Sequence, residues 1–159
     1  MEKVARFYKV SETEFLKNGT KETFYDIILP KRATKGSAGY DFFAPETFSL
    51  NPKETIKIAT GIRAKISDGW VLAIFPRSGL GFKYRLTLDN TVGIIDSDYF
   101  NAENEGHIFI KMTNLGDNPL TVEKGKAFAQ GVFLPFGITV DDECEKVRTG
   151  GFGSTDKTF

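Results

Sequence analysis

Trp70-Val-Leu-Ala-Ile-Phe75 is a continuous apolar run closed by Pro76, and its reading decides the fold class. The run is short, as expected of a strand buried on both faces. Just before it, Asp68-Gly69 is a turn. Further upstream, Thr55 to Ile66 alternates, with Ile56, Ile58, Ile62, Ala64 and Ile66 on one parity. A period of two lays one face of a strand on a core. Downstream, Ile108-Phe-Ile-Lys-Met112 reads as another strand, and Gly116-Asp-Asn-Pro119 and Glu123-Lys-Gly-Lys126 as turns. Ala127 to Leu134 is apolar and aromatic and ends at Pro135. Short strands punctuated by Gly, Pro and Asn predict an all-β sandwich or barrel over residues 29–147.

The two ends read differently. Residues 1–28 form a separate leader, in which Ser11-Glu-Thr-Glu14 has capping-box spacing and Asn18-Gly19 is a stop signal. A short helix or an irregular surface segment both fit. Residues 148–159, Arg148-Thr-Gly-Gly-Phe-Gly-Ser-Thr-Asp-Lys-Thr-Phe159, cannot make a core of their own and are expected to be mobile without a ligand. Glycines let backbone N–H groups approach an anion, Ser and Thr add hydroxyl donors, and Phe152 can stack on a flat ring. A plain flexible end is the competing reading.

Composition narrows the function. At 159 residues the chain fits one domain with one core. Formal net charge is zero, so there is no basic field for duplex nucleic acid or an anionic membrane, although local donors could still hold a small anion. No apolar run approaches the ~20 residues of a membrane span, and the first residues lack an apolar signal core. A single cysteine, Cys144, excludes an intrachain disulfide and suits a reducing compartment. Its acidic neighbours Asp141, Asp142, Glu143 and Glu145 disfavour a reactive thiolate. With one histidine, His107, a Cys/His zinc site lacks ligands. The expectation is a cytoplasmic protein.

Five patches stand in order: Ala38-Gly-Tyr-Asp41, Pro76-Arg-Ser-Gly-Leu80, Gly93-Ile-Ile-Asp-Ser-Asp-Tyr99 after Leu88-Asp-Asn90, Gly125-Lys-Ala-Phe-Ala-Gln130, and Gly150-Gly-Phe-Gly-Ser-Thr155. Each alone is weak; all five in this order resemble the motifs of the trimeric dUTPase family, over roughly residues 29–156. That resemblance implies a jelly-roll-like β fold and a homotrimer with shared active sites. It implies hydrolysis of dUTP to dUMP and pyrophosphate by water attack on the α-phosphorus, assisted by Mg²⁺. Such an activity limits uracil in DNA and supplies dUMP for thymidylate synthesis. One chain would bring the patches around Asp41, Arg77 and Gln130, a second the Asn90–Tyr99 hairpin, and a third its C-terminal tail.

The resemblance assigns roles that the side chains can perform. Asp96 would orient the water and accept its proton as general base; read alone, Asp96-Ser-Asp98 is a turn, and Asp98 is the nearby decoy. Tyr99 would pack under the deoxyribose and leave no room for a 2′-hydroxyl; otherwise it is a strand-end tyrosine. Asn90 would read uracil with its amide, beside hairpin groups of which Ile95 is one; its competing reading is an Asx turn. Arg77, Ser78 and Gly79 would handle phosphate, with the Ser78 hydroxyl at the bridge between the α- and β-phosphates, where charge develops. Gln130 would touch the triphosphate or be a buried structural glutamine. Asp41 would lie in the metal's water shell or serve subunit contacts. Phe152, Gly153, Ser154 and Thr155 would cover the uracil and hold the γ-phosphate.

Three features depart from the family pattern. Tyr99 is followed by Phe-Asn-Ala-Glu-Asn-Glu before Gly106, an acidic insertion next to the site. Arg148 has only Thr149 before Gly150, one spacer fewer than usual for a γ-phosphate ligand. The leader before residue 29 exceeds the family minimum. Two rival readings fit the same β pattern. A dCTP deaminase would need an acid–base residue at the base's amino group, and a non-catalytic β-barrel module would not need Asp96, Ser78 and Gln130 together.

Overall fold

The structure, a computed structural model, describes residues 1–146, 148 and 150. In chain order it has β1 (Ala5–Lys9), the short helices α1 (Glu12–Phe15) and α2 (Lys21–Tyr25), β2 (Lys31–Arg32), β3 (Tyr40–Phe43) and β4 (Phe48–Leu50). There follow β5 (Thr55–Ala59), β6 (Ile62–Ile66), β7 (Trp70–Pro76), helix α3 (Ser78–Tyr84), β8 (Leu86–Leu88) and β9 (Gly93–Ile95). A 3₁₀ turn (Ser97–Asn101), β10 (Phe109–Asn114), β11 (Leu120–Val122) and β12 (Ala127–Pro135) complete the described elements.

The apolar run becomes β7, near the middle of a five-stranded antiparallel sheet ordered β2-β3-β12-β7-β9. Leu72, Ala73 and Ile74 are all buried, so both faces of the strand are covered, as a run without polar alternation requires. The alternating stretch splits into β5 and β6 at Gly61, whose φ of +70° turns the chain. β5 joins β10 and β8, β4 pairs with β11, and β6 pairs with β1. Ile58, Ile62, Ala64, Ile66, Ile110, Met112 and Phe128 share one core with β7.

The leader is not separate. β1 pairs with β6 from Ala5 opposite Ile66 to Lys9 opposite Ile62. The expected cap is present: Ser11 Oγ accepts from Glu14 N at 3.1 Å and α1 begins there. Glu14 is buried, and its carboxylate is paired with Lys17 and lies 3.4 Å from His107 Nδ1. The chain gains a strand where a detached segment was expected, because only half of the sequence Ala5-Arg-Phe-Tyr-Lys9 needs covering. Residues Ala5 and Phe7 pack on the core while Arg6 and Tyr8 face out.

Candidate active site

Two groups of expected residues form on the main sheet. In the first, Asp41 on β3 sits opposite Gln130 on β12, so their side chains share a face. Arg77 follows the end of β7, and its Nε lies 3.3 Å from Asp41 Oδ1. Gln130 Nε2 donates to the Pro76 carbonyl at 3.1 Å. Gly39 makes this possible: a Cβ there would come 2.5 Å from Gln130 Oε1. Ser78 and Gly79 are exposed in the first turn of α3, where N–H groups have no intrahelical partner. Arg77, Ser78 and Gln130 line an open depression of about 480 Å³ with Phe75, Pro76 and Phe82.

In the second group, β8 and β9 flank the Asp89–Val92 turn. Thr91 has a φ of +63°, and Val92 N donates to the Asn90 carbonyl at 2.7 Å. Asp89 is pinned by the Thr113 hydroxyl at 2.5 Å and by Lys111 Nζ at 3.2 Å. The Thr113 hydrogen bond comes first among the causes that hold the Asp89 carboxyl below the usual carboxylate range, with Lys111 adding to it. Asn90 is exposed at the tip, over a depression of about 430 Å³ also lined by Ile74, Leu88, Gly93 and Ile95. The Ile95 side chain is buried, so this residue can offer a ligand its backbone more readily than its side chain.

Asp96 opens the 3₁₀ turn with its carboxylate half exposed. Arg148 Nη2 lies 3.0 Å from Asp96 Oδ2, and its Nε lies 3.2 Å from Asp98 Oδ1. The expected phosphate ligand is therefore seated on the carboxylates of its own chain, with its guanidinium 5.7 Å from the Tyr99 ring centroid. Tyr99 was expected as an open platform for the sugar. Instead it is buried to 1% exposure, because its ring joins the core and its hydroxyl donates to the His107 carbonyl at 2.7 Å. Burial raises the Tyr99 phenol above its ordinary range. Phe152, Gly153, Ser154 and Thr155 lie outside the described residues.

Two features were missed in the sequence. The acidic insertion folds back on Tyr99: Asn104 Nδ2 donates to the Tyr99 hydroxyl at 2.8 Å. Glu105 accepts from Ser11 N at 2.7 Å and from Ser11 Oγ at 2.6 Å, tying the insertion to the leader. His107 is a core residue: Nε2 accepts from Gly61 N at 2.9 Å, which leaves the proton on Nδ1, facing Glu14. Burial pushes the imidazole pKa down, against the raising influence of Glu14. No signal of period or spacing marks any of these contacts, although a polar insertion beside an expected site residue is a reason to look.

The two groups stand at opposite ends of β7. Ile95 pairs with Leu72, so Asp96 continues toward Trp70, whereas Arg77 and Ser78 follow Pro76 at the other end. Six strand residues at ~3.3 Å each separate Asp96 from Arg77 by roughly 20 Å within one chain.

Residues 25–156 match the dUTPase family model. The chain is 47% identical over 139 residues to the deoxyuridine 5′-triphosphate nucleotidohydrolase of Lactococcus lactis subsp. lactis (strain IL1403), covering 86% of this chain and 93% of that one. The crystal structure of dUTPase from Streptococcus mutans superposes with a TM-score of 0.66 at 37% identity, covering 84% of this chain and 97% of that one. A Staphylococcus bacteriophage 80alpha dUTPase with dUpNHpp shares the fold at a TM-score of 0.68 and 22% identity, over 93% of this chain and 100% of that one. The all-β architecture is the jelly-roll-like one, and this chain belongs to the dUTPase family.

Proposed function

We propose that this chain hydrolyses dUTP to dUMP and pyrophosphate as a homotrimer whose sites are shared between subunits. The observation that carries the shared site is the separation of Asp96 from Arg77 and Ser78 along β7. Both halves must act at one α-phosphorus, so the patch of one subunit has to meet the hairpin of another. A surface suited to self-association is available. Leu134, Phe136, Ile138 and Val140 share one parity on the arm leaving β12, and all are exposed.

In the assembled site, the Asn90 amide and the hairpin backbone at Ile95 read the uracil edge. The Tyr99 ring face lies against C2′ of the sugar. Asp96 takes a proton from water as its oxygen bonds to the α-phosphorus. The bond from that phosphorus to the bridging oxygen breaks, and its electron pair leaves with pyrophosphate. Ser78 donates to the bridging oxygen, and the Arg77 fork holds phosphate oxygens. Gln130, with one N–H on the Pro76 carbonyl, has a second for the triphosphate. Phe152 stacks on uracil, while Gly153, Ser154 and Thr155 reach the γ-phosphate.

Among the described residues, no group of three or more His, Cys, Asp or Glu is placed to hold a metal ion. That donor set fits Mg²⁺ arriving on the triphosphate with its own waters, and Asp41 would accept from one of those waters. When bound, the ion offsets charge on the phosphate oxygens. No helix among the described residues is long and apolar enough to cross a membrane. The exposed free thiol of Cys144 fits a reducing cytoplasm.

A nucleotide panel tests this reading: dUTP, dCTP, dTTP and UTP, each with Mg²⁺ or after chelation. The expected result is pyrophosphate and dUMP from dUTP in the presence of Mg²⁺, far above the other three. Ammonia from dCTP would reassign the activity to a deaminase. Comparable UTP turnover would remove the sugar role of Tyr99.

Arg148 supplies a separate test. Its guanidinium reaches the Asp96 pocket despite the shortened spacing, and it pairs with two carboxylates there. With substrate present it exchanges those carboxylates for phosphate oxygens. Arg148→Ala should therefore lower kcat/KM by about 10- to 100-fold, the size of a charged hydrogen bond of ~1.5–3 kcal/mol. Unchanged kcat/KM would take Arg148 out of the site.

A further inference from the structure

The insertion after Tyr99 is built around one polar contact to the ring expected to face the sugar. Asn104 Nδ2 donates to the Tyr99 hydroxyl at 2.8 Å, and that hydroxyl donates onward to the His107 carbonyl at 2.7 Å. The phenol oxygen is thus fixed by one donor and one acceptor. Because the ring is rigid, fixing its oxygen fixes the position and tilt of the ring face. The geometry points to Asn104 as a positioning residue that sets the dUTP-over-UTP preference by holding Tyr99 through its hydroxyl. This inference rests on the dUTPase reading above.

The loop is shaped to deliver that amide. Glu105 has a φ of +59°, a conformation non-glycine residues rarely adopt, and its carboxylate is held by Ser11 N and Oγ. Arg63 lies over the Phe100 ring at 3.6 Å and donates from Nη2 to the Phe100 carbonyl at 2.5 Å. Gly106 has a φ of +71°, and a Cβ there would come 2.6 Å from the Tyr99 carbonyl oxygen. Asn104 Oδ1 accepts from Gly106 N at 3.2 Å, which orients the amide with its Nδ2 toward Tyr99. The backbone is therefore anchored by Ser11, Arg63 and Gly106, and the Asn104 donor is left to act on the phenol.

A 2′-hydroxyl is excluded only if the ring does not retreat from C2′. Without its amide donor the phenol loses one of two anchors, and the ring face can yield to the extra oxygen. The effect falls on discrimination rather than on the chemical step at Asp96.

Asn104→Asp is the informative variant. It is close to isosteric and keeps the acceptor for Gly106 N, but the ionised carboxylate has no proton to donate to the phenol. The ratio of kcat/KM for dUTP to that for UTP should fall by about three- to tenfold, the size of one neutral hydrogen bond. Most of the change should be a gain on UTP, with kcat for dUTP nearly kept. Both substrates are read on one preparation, so the active fraction cancels and partial unfolding cannot imitate the result. Asn104→Ala should shift the ratio in the same direction. In a Tyr99→Phe background, Asn104→Asp should change the ratio no further, since the hydroxyl through which it acts is gone.

An unchanged ratio in Asn104→Asp overturns the proposal, as does an equal shift with and without the Tyr99 hydroxyl, which would mark a general loop effect. Both outcomes leave the wild-type preference for dUTP intact. Absence of that preference in the wild type is the distinct result that brings down the sugar-gate reading, and this proposal with it.

Discussion

Asp96→Asn is expected to lower dUTP turnover by about 10²–10⁴-fold, the range typical of general-base catalysis. The substitution keeps the shape of the side chain and removes its capacity to take a proton from water. The carboxylate is half exposed at the start of the 3₁₀ turn and carries little of the core, so the fold should survive. A non-hydrolysable dUTP analogue should bind nearly as well as to the wild type, because the proton transfer occurs only on the way to the transition state. Calorimetric titration with the analogue and single-turnover kinetics with dUTP separate the two effects. Asp98 is the control. It shares Arg148 with Asp96, at 3.2 and 3.0 Å respectively. Asp98→Asn should therefore change the hold on Arg148 but leave the base in place. Near wild-type turnover in Asp96→Asn, with a loss in Asp98→Asn, would exchange the two roles.

The two carboxylates also show where sequence reading stops. Their identity as candidates was legible because Gly93-Ile-Ile-Asp-Ser-Asp-Tyr99 carries the family pattern locally. Their shared partner was not, because Arg148 meets them only through the tertiary fold. The central strands were legible for a related reason. Leu72, Ala73 and Ile74 are apolar without alternation, and burial on both faces is the arrangement that covers such a run. The leader was misread because the apolar face of β1 amounts to Ala5 and Phe7, interleaved with Arg6, Tyr8 and Lys9. Two apolar side chains make no periodic signal, yet the open edge of β6 is enough to order them. Asn104 was invisible for a third reason. Its function depends on positive φ at Glu105 and Gly106 and on a carboxylate tied to Ser11, none of which follows from local composition.

Mixing two inactive variants should restore activity, and the size of the recovery measures how the site is divided. Asp96→Asn spoils the hairpin and spares the Asp41–Arg77–Gln130 patch; Arg77→Ala does the reverse. Within one chain these two residues stand roughly 20 Å apart along β7. If each site joins the patch of one subunit to the hairpin of another, a homotrimer of either variant contains only damaged sites. In subunits exchanged at equal amounts, about one quarter of the sites in a random ring combine a sound patch with a sound hairpin. Activity should rise from the residual level of either variant toward about a quarter of wild type, a gain of an order of magnitude or more over parents reduced by ~10²-fold. A chain carrying both substitutions, mixed with neither variant, is the baseline. Subunit exchange is confirmed first by native mass spectrometry of differently tagged chains. That measurement also gives the subunit number, expected to be three. A site formed within one chain predicts no recovery at all, since no mixture repairs a chain that needs both of its own residues. No recovery after confirmed exchange would therefore place Asp96 and Arg77 in one site despite their separation, and would require β9 and the end of β7 to be arranged differently when substrate is bound.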